Sequence, residues 1–180
     1  MAADQRGPLL VVDVQQGFLN PFTRHLPARI AGLIEQGSYD PLLFTYFVNP
    51  PNSAYHRLLD WDACGGPPET SLAPELAAFA ERGRVFEKVG LAGLPPALRE
   101  HVGTLGAELV HVVGIDTDMC VLKSAMDLFD LGLEPVVWID CCASTAGLQA
   151  HLAGLSILGR NIGPRQLRLS GLNDGYLAAP

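Results

Sequence analysis

Charge is scarce in this chain, and positive charge is scarcer. Of 180 residues, 17% are charged, and the formal net charge is −7. No basic cluster occurs anywhere, which argues against nucleic acid or an anionic membrane surface as a partner. Long apolar runs are also missing: none approaches the ~20 residues needed to span a bilayer. The opening MAADQRGP holds no apolar signal-peptide region, so a cytosolic location is expected. Cysteine is sparse. Cys64, Cys120, Cys141 and Cys142 form no CxxC pair and no metal-ligand spacing, so free thiols in a reducing compartment are expected. A bond between the adjacent Cys141 and Cys142 would strain the backbone and is discounted. Lysine is scarcest of all: Lys88 and Lys123 are the only two among twelve basic residues. Arg and Lys are not interchangeable, so each Lys in such a chain calls for a reason. Repeats, low-complexity blocks and linkers are absent too. Residues 1–180 therefore read as one domain, and 48% hydrophobic content is enough to build a core.

What is present is an alternation of strands and helices. Residues 9–12 (LLVV) form an apolar run ending at Asp13, the pattern of a buried parallel strand. A loop follows, marked by Gly17, Asn20 and Pro21. A helix is predicted over 27–36, opened by Pro27 and stopped by Gly37. PLLFTYFV, 41–48, is a second strand. Residues 55–74 have poor periodicity and are expected to be irregular, with a short helix at their start. A short helix near 76–80, a third strand over 83–87 running into Lys88, and a helix over 95–105 come next. The fifth strand is expected at 134–139, ending at Asp140. Leu148, Leu152, Leu155 and Leu158 mark a last long helix, and 166–169 a short edge strand. The tail from Gly171 is expected to be a loop. The alternation implies a three-layer α/β/α architecture with a mostly parallel, six-stranded sheet of Rossmann-like order. Ligands in such folds bind outside the carboxyl ends of the strands.

The segment VHVVGIDTDMCVLKSAMDLFDL, 110–131, stands between the helix over 95–105 and the fifth strand. It combines the fourth strand, a break at Gly114 and an amphipathic helix. Val121, Ala125 and Leu128 share one stripe of that helix; Lys123, Asp127 and Asp130 fall opposite. Thr117 and Asp118 are suited to cap it. Cys120 lies in the first turn, where free N–H groups and the macrodipole favour a thiolate. It can be a nucleophile or simply a small buried apolar residue. Asp13, Lys88 and Cys120 all fall at the same sheet edge. There Asp13 can accept the thiol proton and Lys88 can support both by its charge. Backbone N–H groups of the turn can stabilise a tetrahedral intermediate. The bland readings are a loop-capping Asp13 and a surface Lys88.

LLVVDVQQGF, FEKVGLAG and GIDTDMCVLKSAMDLFDLG resemble the three signature segments of the isochorismatase-like cysteine hydrolases, whose members include nicotinamidases and carbamoylsarcosine amidohydrolases. The resemblance runs from about Leu9 to about Leu158. It implies a cysteine hydrolase that cleaves an amide-type C–N bond of a small molecule through a thio-acyl intermediate. Asp13 would be the acid/base, Lys88 the electrostatic partner and Cys120 the nucleophile. It also implies a cis Ile115–Asp116 peptide, an oxyanion hole from the N–H groups of Asp116 and Cys120, and a homodimer or homotetramer. Carbamoyl, ureido or ester cleavage on the same triad, or a non-catalytic member binding a metabolite or partner, are the alternatives.

Two departures from the family pattern qualify that picture. Nicotinamidases carry an Asp-x-His metal site after the second strand. The corresponding FVNPPNSAYH has no such pair, so neither metal nor cofactor is expected, and His56 reads as a surface residue. The isochorismatase branch works without the cysteine. Position 116 is Asp where many relatives have a small residue. This carboxylate can repel anionic substrates, bind a cationic group or face solvent. Phe18, Phe22 and Trp61 are candidates for pocket walls. Asp140 is expected to pair with backbone at a strand end, His151 to be a hydrogen-bonding residue of the last helix, and Cys141 and Cys142 to be buried thiols.

Overall fold

In a computed structural model, which describes residues 6–172, six strands form one sheet in the order β3-β2-β1-β4-β5-β6, every neighbouring pair parallel. The strands are β1 (Arg6–Val12), β2 (Ser38–Val48), β3 (Arg84–Val89), β4 (Leu109–Ile115), β5 (Glu134–Ala143) and β6 (Leu167–Arg168). The helices are α1 (Leu26–Gln36), α2 (Ala54–Leu59), α3 (Ala77–Arg82), α4 (Pro96–Thr104), α5 (Leu122–Asp130) and α6 (Leu148–Asn161). The expected six-stranded α/β sheet is thus borne out. Most of the tail from Gly171 lies outside the described residues.

Strand side chains alternate between faces, and β1 shows both at once. Leu9 and Val11 pack with Leu26, Ile30 and Leu33 of α1, while Leu10 and Val12 pack with Leu98 of α4, Val121, Ala125 and Leu128 next to and along α5, and Leu158 of α6. Two apolar layers therefore clamp the sheet, which is why residues 9–12 read as a continuous apolar run. Strand order reverses between β1 and β4, and the crevice at that switch point opens at their carboxyl ends. Gly114 keeps these two strands close. Its φ is +131°, and a Cβ there would stand 2.1 Å from the Val12 carbonyl oxygen, so no other residue fits.

Two expectations drawn from local pattern are corrected by the structure. The fifth strand does not end at Asp140 but runs on to Ala143. Its acid is neutralised in place: Arg29 of α1 pairs with the Asp140 carboxylate at 2.5 Å, and Ser170 donates to both carboxylate oxygens from N and Oγ. A buried acid within a strand needs partners from distant segments, which local pattern does not reveal. Asp127 is likewise not on a solvated face. It is buried, accepts the Leu94 amide at 3.0 Å, and pairs with Lys123. That contact ties the loop after β3 to α5, assisted by Ser124 Oγ donating to the Gly93 carbonyl.

Candidate active site

Asp13 follows β1 in a left-handed conformation, φ 50°. Its backbone N–H reaches the Thr45 carbonyl of β2, and Thr45 Oγ1 donates to its Oδ1 at 2.7 Å. Oδ2 faces Lys88 Nζ at 2.8 Å, with both side chains fully buried. Lys88 comes from β3, two strands away, so only a long side chain spans the ~9–10 Å between them. Its ammonium also donates to the Ala92 carbonyl at 3.3 Å. The Cys120 thiol lies within hydrogen-bonding reach of both Asp13 and Lys88. The three residues picked out at one sheet edge are therefore brought together, and Lys88, 1% exposed, is no surface charge.

The turn that carries Cys120 departs from the expected capped helix. The Ile115–Asp116 peptide is cis. Residues Thr117–Val121 form a widened turn in which Val121 N donates to the Asp116 carbonyl five residues back, at 3.0 Å, with Met119 N donating to the same oxygen at 3.1 Å. Neither Thr117 nor Asp118 caps it. The Thr117 hydroxyl bonds His151 Nδ1 at 2.8 Å, which gives His151 the hydrogen-bonding role expected of it. Asp118 Oδ1 is buried without a hydrogen-bond partner among the described residues. α6 presses on the turn from behind: a Cβ on Gly154 would stand 2.7 Å from Asp118 Cα.

The charge state of the thiol is a second correction. Burial, then the Asp13 carboxylate, push the Cys120 pKa up to about 12, against the pull of Lys88. The helix start does not outweigh these effects, and Cys120 rests as a thiol. Burial works against the Lys88 ammonium, but Asp13 and Cys120 more than offset it and raise its pKa above the ordinary value.

A cavity of about 320 Å³ opens above Cys120. Phe18, Phe47, Tyr55, Leu59 and Trp61 wall one part; Met119, Asp116 and Thr145 stand on another. Phe18, Trp61 and Asp116 thus line the pocket as expected. Phe22 does not: it is half exposed and borders a separate groove with Leu148 and His151. His56 is only partly exposed, with Nε2 buried, rather than a plain surface residue. Asp116 turns its carboxylate to Thr145, accepting from its N–H at 2.5 Å and its Oγ1 at 2.8 Å.

Several residues that shape the site carried no readable signal. Gln15, fully buried, accepts the Phe47 amide at 2.7 Å and donates to the Phe47 carbonyl at 3.0 Å, fixing the aromatic wall. Asn49 donates to the carbonyls of Trp61 and Ala63 and accepts from Ser53 Oγ, folding residues 49–63 back over the pocket. Buried Gln and Asn at strand ends are the one hint a sequence offers of such clamps. The stretch where nicotinamidases bind metal is therefore committed to loop structure. Among the described residues no group of three or more His, Cys, Asp or Glu could hold a metal ion. The residues present do not fit that centre.

Comparison with known proteins agrees with this architecture. The isochorismatase domain model matches residues 8–161. The rat isochorismatase domain-containing protein 2 (Rattus norvegicus) is 32% identical over 80 residues, which are 44% of this chain and 37% of that protein. The alignment thus spans well under half the length of this relative. N-carbamoylsarcosine amidase from Thermoplasma acidophilum superposes with a TM-score of 0.76 at 20% identity, covering 94% of this chain and 99% of that one. A nicotinamidase from Bacillus subtilis gives 0.71 at 19%, covering 88% and 97%. At these identities the two structures speak for the fold.

Proposed function

The chain belongs to the isochorismatase domain family, and from that premise we propose that it is a cysteine hydrolase cleaving an amide-type C–N bond of a small molecule. The observation that carries this reading is the buried Asp13–Lys88 pair in contact with the Cys120 thiol at the floor of an aromatic-walled pocket. A thiol with a raised pKa needs a base at the moment of attack, and Asp13 is in place to be one.

In the proposed sequence, Cys120 Sγ attacks the substrate carbonyl carbon while Asp13 takes the thiol proton. The carbonyl oxygen gains the negative charge, held by the N–H groups of Asp116 and Cys120. The tetrahedral adduct collapses, the C–N bond breaks, and Asp13 returns the proton to the leaving nitrogen. Water then attacks the thioester, giving a proton to Asp13 and its oxygen to the acyl carbon. The acid leaves, and the proton returns to Sγ. Lys88 stays protonated throughout and stabilises whichever of Asp13 and Cys120 is anionic.

Small amides and carbamoyl compounds, offered in turn and quenched in acid, test this by intact-mass detection of an acyl adduct on Cys120. Cys120→Ala should lower turnover by about 10⁴-fold or more. Turnover that survives this substitution would overturn the proposal.

A further inference from the structure

Among the described residues lining the cavity, Asp116 is the charged one, and the hydrolytic steps use only its backbone. Its side chain is half-buried and tied to Thr145 by two hydrogen bonds. No Lys, Arg or His among the described residues pairs with it; the ion pairs there belong to Asp13, Asp127, Glu134 and Asp140. The charges that bear on it are the carboxylates of Asp118 and Asp13, which with burial raise its pKa, while Thr145 opposes them.

The same cavity is lined by four aromatic rings. Trp61 is the hub: its ring centroid lies 6.4 Å from Phe18, nearly parallel, 5.9 Å from Phe47 and 5.4 Å from Tyr55. Ring faces carry partial negative charge and attract cations, most strongly where water is scarce. A partly desolvated carboxylate without a counter-ion beside such rings is complementary to positive charge and repels negative charge.

We propose that the pocket is selective for amides bearing a cationic group, such as an alkylammonium, held between the Asp116 carboxylate and the aromatic wall. This rests on the hydrolase reading for turnover, though not for binding. Asp116 is then a specificity-determining residue, and neutral or anionic amides of equal size are poorer substrates.

Two amides of the same shape isolate the charge: trimethylammonioacetamide and its carbon isostere 3,3-dimethylbutanamide. Succinamate supplies the anionic arm. In the wild type the cationic amide should exceed its isostere by about tenfold or more in kcat/KM, with succinamate poorest. Asp116→Asn can keep both contacts to Thr145, accepting from its N–H and donating to its hydroxyl, so the turn is retained. In that variant the cation-to-isostere ratio should fall to about one, whatever its absolute rate. Calorimetric Kd values on the same proteins read the same ratio without chemistry. Cation-selective binding that depends on Asp116 but occurs without turnover supports the selectivity and counts against the hydrolase reading. Turnover with equal preference for the two isosteres does the reverse. The selectivity is overturned if the wild-type ratio is near one in both measurements, if no amide binds, or if Asp116→Asn keeps the wild-type ratio.

Discussion

The Arg29–Asp140 pair and the Lys88–Asp13 pair are both buried, at 2.5 and 2.8 Å, yet they spend their polar atoms differently. Arg29 sends Nη2 to the Asp140 carboxylate and Nε to its carbonyl, and Ser170 fills the carboxylate from N and Oγ. The cluster fastens α1, β5 and the segment after β6, and a planar guanidinium suits such a fixed fork. In the other pair, Thr45 holds one oxygen of Asp13, the ammonium meets the other, and both partners also touch the Cys120 thiol below an open cavity. Each pair borders a thiol, Cys141 in the first and Cys120 in the second, but Cys141 is buried whereas Cys120 opens on the cavity. Burial therefore does not tell the two pairs apart, and the access of the neighbouring thiol to a cavity does.

The sharpest way to break this comparison is to open the first pair. Asp140→Ala removes the carboxylate that Arg29 and Ser170 bond and should cost about 3–5 kcal/mol of stability. Urea unfolding measures the loss, and kcat of the folded fraction should stay near wild type. A large fall in kcat would show that the two pairs are not separate in role.

Lys88→Arg tests the other side. A guanidinium is larger and planar and does not fit the volume from which one ammonium reaches Asp13, Ala92 and Cys120. The variant should fold yet lose about a hundredfold in kcat, roughly 2.7 kcal/mol, with KM little changed. Wild-type kcat in this variant would reduce Lys88 to a structural charge.

A smaller effect separates the four thiols. Cys64, Cys141 and Cys142 are buried, whereas Cys120 is partly exposed. Iodoacetamide with peptide mapping should label Cys120 first. Because its proton is held up to a pKa of about 12, the labelling rate should climb about tenfold per pH unit from pH 7 to 9, without a plateau near neutrality. First labelling at Cys64 or Cys141 would contradict the assignment. The smallest expected effect is none at all: exhaustive chelation should leave amide turnover unchanged, since Asn49 and its neighbours are bound into the loop. A loss reversed by added zinc would refute this.

Much of the layout could be read in the sequence because it rests on local rules. Residues 9–12 are apolar throughout, as a strand clamped between two layers must be, and α1 carries its Pro in the first turn and stops at Gly37. Asp13, Lys88 and Cys120 were legible as candidates because each follows or ends an apolar strand run, and either of two Lys among ten arginines draws notice. Gln15, Asn49 and Thr45 were not legible. Their partners lie on other segments, and nothing local distinguishes a buried clamp from a loop amide.

The sequence by itself determined the order of strands and helices, the acid, ammonium and thiol that end up at one edge, and the glycine that lets β1 and β4 touch. Periodicity, turn chemistry and steric minima act over a few residues, so they are written there. Only the tertiary structure decided that Lys88 reaches across β2 to Asp13, that Asp140 sits inside a strand on the strength of Arg29 and Ser170, and that the Cys120 pKa lies high rather than low. Each depends on desolvation and on charges brought from distant segments, and both exist only once the chain has closed around them.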